Sequence, residues 1–280
     1  MPEIAGVVLL YHPDNKITER IFSYLEFINR LYIFDNSELD YDVLINHEKV
    51  IYVNDKINKG ISNRLNQAAH LAIKEGYDWL LTMDQDSSFT NYNFNNYLDC
   101  FMNYQQKEKV GIFGVQFTDS SLQRNTCITE ESLHLITSGS LINLKLFKLT
   151  GPFDESLFID HVDYDYSFRT NLKGFKTIRF NNIYLDHDIG KTTEHLSFKN
   201  FKKTTRSLHA PIRIYYMTRN YCYMRSKYSS QFPEHIRHMK KDLINRIKNN
   251  ILYNPNRFQV IQNLIRGILH YLQKRMGKLE

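Results

Sequence analysis

The chain begins with a continuous apolar run, Gly6 to Leu10, that ends at Tyr11-His12-Pro13. An apolar run of that length bounded by turn residues reads as a buried strand. Apolar residues then recur at helical spacing from Ile17 to Ile28, and Leu31 to Phe34 forms a second strand. Val50 to Val53 is a third strand, Ile61 to Glu75 a helix closed by Gly76, and Trp79 to Met83 a fourth strand. Strands alternating with helices predict βαβ units, a largely parallel sheet and the α/β class. In such sheets ligands bind beyond the carboxyl ends of the strands, where Asp35-Asn36-Ser37 and Asp84-Gln85-Asp86 fall.

The second half carries a strand-like Gly111 to Phe117 and the segment Leu135 to Asn143, whose Ser138-Gly139-Ser140 centre suggests close backbone approach. A helix is expected to start near Asp160 or Val162. Lys176 to Phe180 and Ile183 to Leu185 read as short strands leading to Asp186-His187-Asp188. From about Ser207 the pattern is helical, with Ile236 to Leu252 and Phe258 to Met276 both amphipathic and basic. There are no repeats and no low-complexity segments.

A length of 280 residues permits one large α/β domain or two small ones. The 14% aromatic content argues against intrinsic disorder. The net charge of +6 conceals an asymmetry: residues 201–280 hold 17 Lys+Arg against Glu234, Asp242 and Glu280, a net +14, which leaves −8 on residues 1–200. An acidic body with a basic tail argues against nucleic-acid binding, where basic charge lines the working cleft. Cys100, Cys127 and Cys222 show no metal-binding or disulfide spacing, so a reducing compartment is expected. No stretch approaches the roughly 20 apolar residues of a membrane span, and the N-terminus reads as a strand rather than a signal peptide.

Several clusters could carry chemistry. Asp84 and Asp86 follow an apolar strand, where hard carboxylate oxygens can hold Mg²⁺ or Mn²⁺ against a diphosphate; a turn that caps the next helix also accounts for them. Asp35-Asn36-Ser37 and Asn58-Lys59-Gly60 offer acceptors and backbone donors suited to a base and ribose, or ordinary turn chemistry. The helix after Gly60 presents amide groups to which a negative group could bind. Asp160, Asp163 and Asp165 crowd the start of a helix that continues to Phe168 and Arg169. Dipole complementarity explains one of these acids, and a general base is a second role. His187 between two acids is a candidate cation ligand or a structural histidine.

Taken in order, GVVLLYHP, FDNS, NKGISNRLNQA, WLLTMDQDSSF, TSGSLIN, GPFDESLFIDHVDYDYSFR, LDHDIG and APIRIYYMTRN resemble the inverting glycosyltransferases of family 2 with the GT-A fold, in their bacterial rhamnosyltransferase-like branch. The resemblance spans roughly residues 4–225. It implies that Asp35, Asn58 and Asp84 contact the nucleoside, with Asn36, Ser37 and Gly60 in the same nucleotide-sugar site. It further implies that Asp86 and His187 ligate a Mg²⁺ or Mn²⁺ ion on the donor diphosphate, and that Ser138 and Gly139 line the donor-sugar or acceptor side. Asp163 matches the acidic base position. Many members carry Glu immediately before it, where this chain has Val162, and that departure leaves Asp160 as a rival base. Arg169 matches a helix arginine whose expected role is to pair with a core acid.

The resemblance implies a catalytic domain over residues 1–206, with a nucleotide half of about 1–110 and an acceptor half of about 111–206, followed by a basic helical extension over 207–280. The expected donor is dTDP-rhamnose, with a UDP-hexose or UDP-galactofuranose as alternatives. The expected acceptor is a saccharide, lipid-linked, in bacterial cell-surface polysaccharide synthesis. A nucleotide-binding module without activity is the rival outside the transferases. The extension fits a solvated cover on the catalytic domain, and it fits an interfacial helix pair on anionic lipid through residues 236–280. The second case places the protein at the inner face of the plasma membrane.

Overall fold

A computed structural model describes residues 2–41, 45–89, 91–117, 127–187, 192–196 and 203–280. The chain divides into two compact units, one of residues 1–158 with 162–188 and one of residues 159–161 with 189–280.

The first unit contains β1 (Ile4–Leu10), α1 (Ile17–Leu25), β2 (Arg30–Asp35), β3 (Val50–Asn54), α2 (Gly60–Glu75), β4 (Trp79–Asp84) and β5 (Ser87–Ser88). It continues with α3 (Asn91–Asn103), β6 (Val110–Gln116), β7 (Thr129–Glu131), β8 (Ser140–Asn143), α4 (Leu144–Thr150), α5 (Val162–Leu172), β9 (Lys176–Tyr184) and β10 (Asp186–His187). Its main sheet has eight strands in the order β3-β2-β1-β4-β8-β6-β9-β7. Neighbours from β3 to β4 run parallel, β8 runs antiparallel to β4 and β6, β9 is parallel to β6, and β7 is antiparallel to β9. The predicted α/β class with a mostly parallel sheet is the observed one. The two short strands expected over 176–185 are a single strand, β9. Of the segment 135–143 only Ser140–Asn143, β8, is a strand, and Gly139 before it turns at φ +73°.

Burial explains the strands. Val7, Val8, Leu31, Ile33, Leu80 and Leu81 are inaccessible to solvent, as expected of strands covered on both faces. The aromatic richness has a specific destination. Trp79 meets Phe101 edge-on at 4.9 Å and Phe113 stacks on Phe180 at 5.4 Å, so rings from α3, β4, β6 and β9 fill one side of the core. The structure corrects the cysteine reading: Cys100 of α3 forms a disulfide with Cys127, at a Cα separation of 5.4 Å. The two lie 27 positions apart in sequence, and such a pair carries no spacing signature.

The second unit holds the hairpin β11 (Thr192–Leu196) and β12 (Lys203–Ser207), then α6 (Pro211–Tyr228), α7 (Pro233–Tyr253) and α8 (Arg257–Leu272). Both α6 and α7 start with Pro at the first helical position, where its missing N–H costs nothing. α8 lies close on α6 because Gly267 has no side chain; a Cβ there would sit 2.8 Å from the Tyr215 carbonyl. The residues after α8 return to α6: buried Arg219 donates to the Gly277 carbonyl at 2.7 Å, and the Leu279 amide donates to Tyr216 Oη at 2.9 Å. Of α8 only Val260 and Gly267 are buried, whereas Phe258, Ile265, Leu269 and Leu272 are exposed, Phe258 by 77%. No helix among the described residues is long and apolar enough to cross a membrane.

Candidate active site

Strand register sets the first feature of the site. β1 lies between β2 and β4, with Leu10 opposite Asp35 and Leu9 opposite Asp84. The two acids therefore end neighbouring strands on either side of β1, at the point where the strand order reverses direction. Asp35 is wholly buried. Its Oδ1 accepts the Ser37 amide at 2.8 Å and its Oδ2 accepts the Tyr52 hydroxyl at 2.8 Å. Burial, reinforced by Asp35, pushes the Tyr52 phenol up to about 12, so it stays a donor. Tyr52 is a partner that the sequence reading did not identify; its place on the strand beside β2 was the available signal.

The turn before α2 is built by side chains. Asn36 Oδ1 accepts from the Lys59 amide at 3.2 Å and from Arg64 Nε at 2.8 Å, while Asn58 Oδ1 accepts the Gly60 amide at 3.0 Å. Gly60 has φ +78°, and a Cβ on it would lie 2.4 Å from the Phe158 ring and 2.7 Å from the Phe158 carbonyl. The amides expected to await a negative group are in part engaged already, because Ile61 N–H donates to that carbonyl at 2.7 Å. At this position Gly60 is demanded by packing as well as by any ligand. Ser37 accepts the His12 amide at 2.8 Å, tying the ends of β1 and β2 together.

On the other side of β1, the Asp84 amide donates to Ser138 Oγ at 3.0 Å and the Gly139 amide to the Thr82 carbonyl at 2.8 Å. Thr82 Oγ1 donates to the Thr137 carbonyl. A Cβ on Gly139 would stand 2.8 Å from Val115, which is the close approach expected of the Ser-Gly-Ser centre. The same segment runs back to Leu135 and His134. Leu135 N–H donates to Ser167 Oγ of α5 at 3.3 Å, and His134 Nε2 lies 3.1 Å from Asp163 Oδ2. Residues 134–140 thus form a strap with one end on Asp163 and the other on the Asp84 backbone. A small cavity beside it is lined by Thr137, Ser140, Asp163, Tyr166 and Ser167, among others.

The acids at the start of α5 separate by environment. Asp165 is wholly buried and accepts from Arg169 Nε at 2.8 Å, and the same guanidinium donates to the carbonyls of Thr150, Gly151 and Pro152. That pair is structural. Asp163 is partly exposed, with 19% of its side chain accessible. Asp160 lies within the second unit, where Arg213 bonds its Oδ1 at 3.1 Å and Asn220 holds the Ile159 and Asp160 carbonyls at 2.7 and 3.0 Å. Phe158, Asp160 and His161 all adopt positive φ, between 61° and 66°. Three side-chain-bearing residues in that region within four positions mark a backbone held against its preference.

For a divalent cation, β10 pairs with β5 so that His187 stands opposite Ser87 and Asp186 opposite Ser88. The backbone of residue 187 is thereby brought alongside the residue following Asp86. Asp188 and the His187 side chain lie outside the described residues. Carboxylate oxygens suit Mg²⁺ or Mn²⁺. Among the described residues no cluster of three such ligands is assembled.

No protein-family profile matches the chain. It is 26% identical over 239 residues, 78% of each chain, to the dTDP-rhamnosyl transferase RfbF of Shigella flexneri. Among solved structures it is similar to residues 1–349 of S. aureus TarS in complex with UDP-GlcNAc, with a TM-score of 0.60 at 13% identity over 97% of this chain and 81% of that one. The longer TarS structure gives a TM-score of 0.59, and this chain spans only 49% of its length. GalNAc-T7 with UDP, GalNAc and Mn²⁺ gives 0.50 at 9% identity over 67% of this chain and 44% of that one. The chain thus has the fold of the GT-A glycosyltransferases, as its ordered motifs led us to expect, and its sequence is similar to that of a dTDP-rhamnosyl transferase.

Proposed function

We propose that the protein is an inverting glycosyltransferase that moves L-rhamnose from dTDP-rhamnose to a hydroxyl of a lipid-linked saccharide in cell-surface polysaccharide synthesis. Support for glycosyl transfer comes from the acids Asp35 and Asp84 flanking β1 where the strand order reverses, with the strap leading from there to Asp163. Support for rhamnose comes from the 239-residue similarity to RfbF.

In this reading residues 1–206 are the catalytic domain and 207–280 the basic extension. Asp35, Asn36, Ser37, Asn58, Gly60 and Asp84 form the nucleoside side, and Ser138 and Gly139 the sugar side. Asp86 and His187 would hold a Mg²⁺ or Mn²⁺ ion, which supplies positive charge to the donor diphosphate when bound. Asp163 accepts the proton of the acceptor hydroxyl as that oxygen bonds to the anomeric carbon. The bond from the anomeric carbon to the diphosphate oxygen breaks, and its electron pair leaves with the nucleoside diphosphate. A single displacement from the opposite face inverts the anomeric configuration.

Donor identity is tested by thermal stabilisation and transfer assays with dTDP-rhamnose, UDP-glucose, UDP-galactose and UDP-galactofuranose. Response to dTDP-rhamnose is expected; response to a UDP-sugar alone refutes the rhamnose assignment. Asp163→Asn should lose about 100-fold or more of transfer while still binding donor, and unchanged turnover excludes Asp163 as the base.

The extension docks on the anionic inner leaflet through α7 and α8. Exposed Phe258, Ile265, Leu269 and Leu272 stand on a helix flanked by Arg257, Lys274 and Arg275, the pairing of bulky apolar and basic groups that interfacial helices use. Flotation with phosphatidylserine vesicles should fall on Phe258→Ser with Leu272→Ser. Equal flotation of variant and parent removes the membrane from the reading.

A further inference from the structure

The acid Asp163 has a neighbour that neither the motifs nor the comparisons assign. His134 stands in the loop between β7 and β8, 29 positions earlier in the chain, with Nε2 at 3.1 Å from Asp163 Oδ2. Its ring is fixed from a second direction, stacked on Tyr164 with 3.4 Å between centroids and 3° between planes. Tyr164 also donates its amide to Asp163 Oδ1 at 2.9 Å, so each carboxylate oxygen receives a donor. The loop backbone is fixed as well, by Ser132 Oγ donating to the His134 carbonyl at 2.8 Å and by the Leu135 bond to Ser167. Both side chains keep about a fifth of their surface accessible, 22% for His134 and 19% for Asp163. A packing pair would be buried outright; this one is held rigid and left open.

We propose that His134 is a positioning residue for the base: its Nε2–H fixes the plane of the Asp163 carboxylate, so that an oxygen lone pair is aimed at the acceptor hydroxyl before it arrives. The proposal rests on the assignment of Asp163 above. A carboxylate on a helix otherwise rotates about its terminal torsion, which has broad minima. Small misplacements of a reacting group are costly in rate, since positioning accounts for much of the barrier reduction in bound reactants. The ring needs its proton on Nε2, which leaves Nδ1 as the acceptor nitrogen.

Two variants separate donation from stacking. His134→Phe keeps a ring for Tyr164 and loses the N–H, whereas His134→Gln keeps an N–H donor and loses the ring. The phenylalanine variant should lose roughly 10- to 100-fold in kcat with donor Kd and acceptor KM unchanged, and the glutamine variant should recover most of it. Wild-type kcat in the phenylalanine variant overturns the proposal, as does equal loss in both variants or a loss confined to donor affinity. Failure of the underlying reading is distinguishable: the parent protein would then transfer no sugar, or Asp163→Asn would remain active.

Discussion

Arg64 is wholly buried in α2, and its Nε–H is donated to the Asn36 side chain at 2.8 Å. The rest of its guanidinium reaches Asp55 at 2.5 Å and the Ile57 carbonyl at 3.0 Å, and it lies 5.3 Å from the Phe34 ring centroid. One cation therefore ties the end of β2, the end of β3 and α2 together.

Asp55→Asn should destabilise the fold by about 2 kcal/mol, because a buried guanidinium loses its countercharge and one acceptor becomes a donor. Arg64 holds the Asp55 carboxyl well below its ordinary range, consistent with a strong pair. Urea unfolding measures the loss, and a midpoint equal to the parent's would show that Asn36 and Ile57 suffice to hold Arg64.

Gly60→Ala meets both a left-handed backbone and a side chain 2.4 Å away, so roughly 2 kcal/mol or more should be lost. Gly76 is the control, with φ +90° and nothing within 4 Å of a Cβ. Its alanine variant should lose only about 1 kcal/mol. Equal losses in the two denaturation curves would mean that Phe158 yields freely.

Asp86→Asn and His187→Ala should each weaken the Mn²⁺-dependent part of donor binding in calorimetry, by roughly tenfold. The antiparallel pairing of His187 with Ser87 motivates testing the two together. Donor affinity that ignores Mn²⁺ in the parent protein would remove the cation from the scheme.

His209 predicts an acid-sensitive second unit. Burial, and then the charges of Arg213 and Arg246, push its imidazole down to about 4 from 6.5. An unfolded chain takes up that proton near 6.5, so the neutral ring's contribution is whole above that pH and is lost as the pH falls toward 4. His209→Gln should therefore show a smaller drop in unfolding free energy between pH 7 and pH 4.5 than the parent. Parallel curves would assign the acid sensitivity elsewhere.

Much of the first unit was legible because its signals are local. Apolar runs of four or five residues, Gly76 after a helical stretch and polar triplets at strand ends predict β1 to β4 and place Asp35 and Asp84 on one edge. The missed features depend on distant pairings. His134 is one polar residue in an irregular loop, and only the fold sets it against Asp163. Cys100 and Cys127 meet only because the fold brings Cys127, before β7, to α3. Arg64 carries no distinguishing mark in the sequence, and only the folded helix turns it inward to Asn36 and Asp55.

The strap of residues 134–140 acts as a gauge block. Anchored on Asp163 at one end and on the Asp84 backbone at the other, it fixes by its own length how far the Asp163 carboxylate stands from the carboxyl end of β4. That distance therefore depends on the count of residues between two anchors as much as on their identities. Gain or loss of one residue there would detune the spacing with every named side chain still in place.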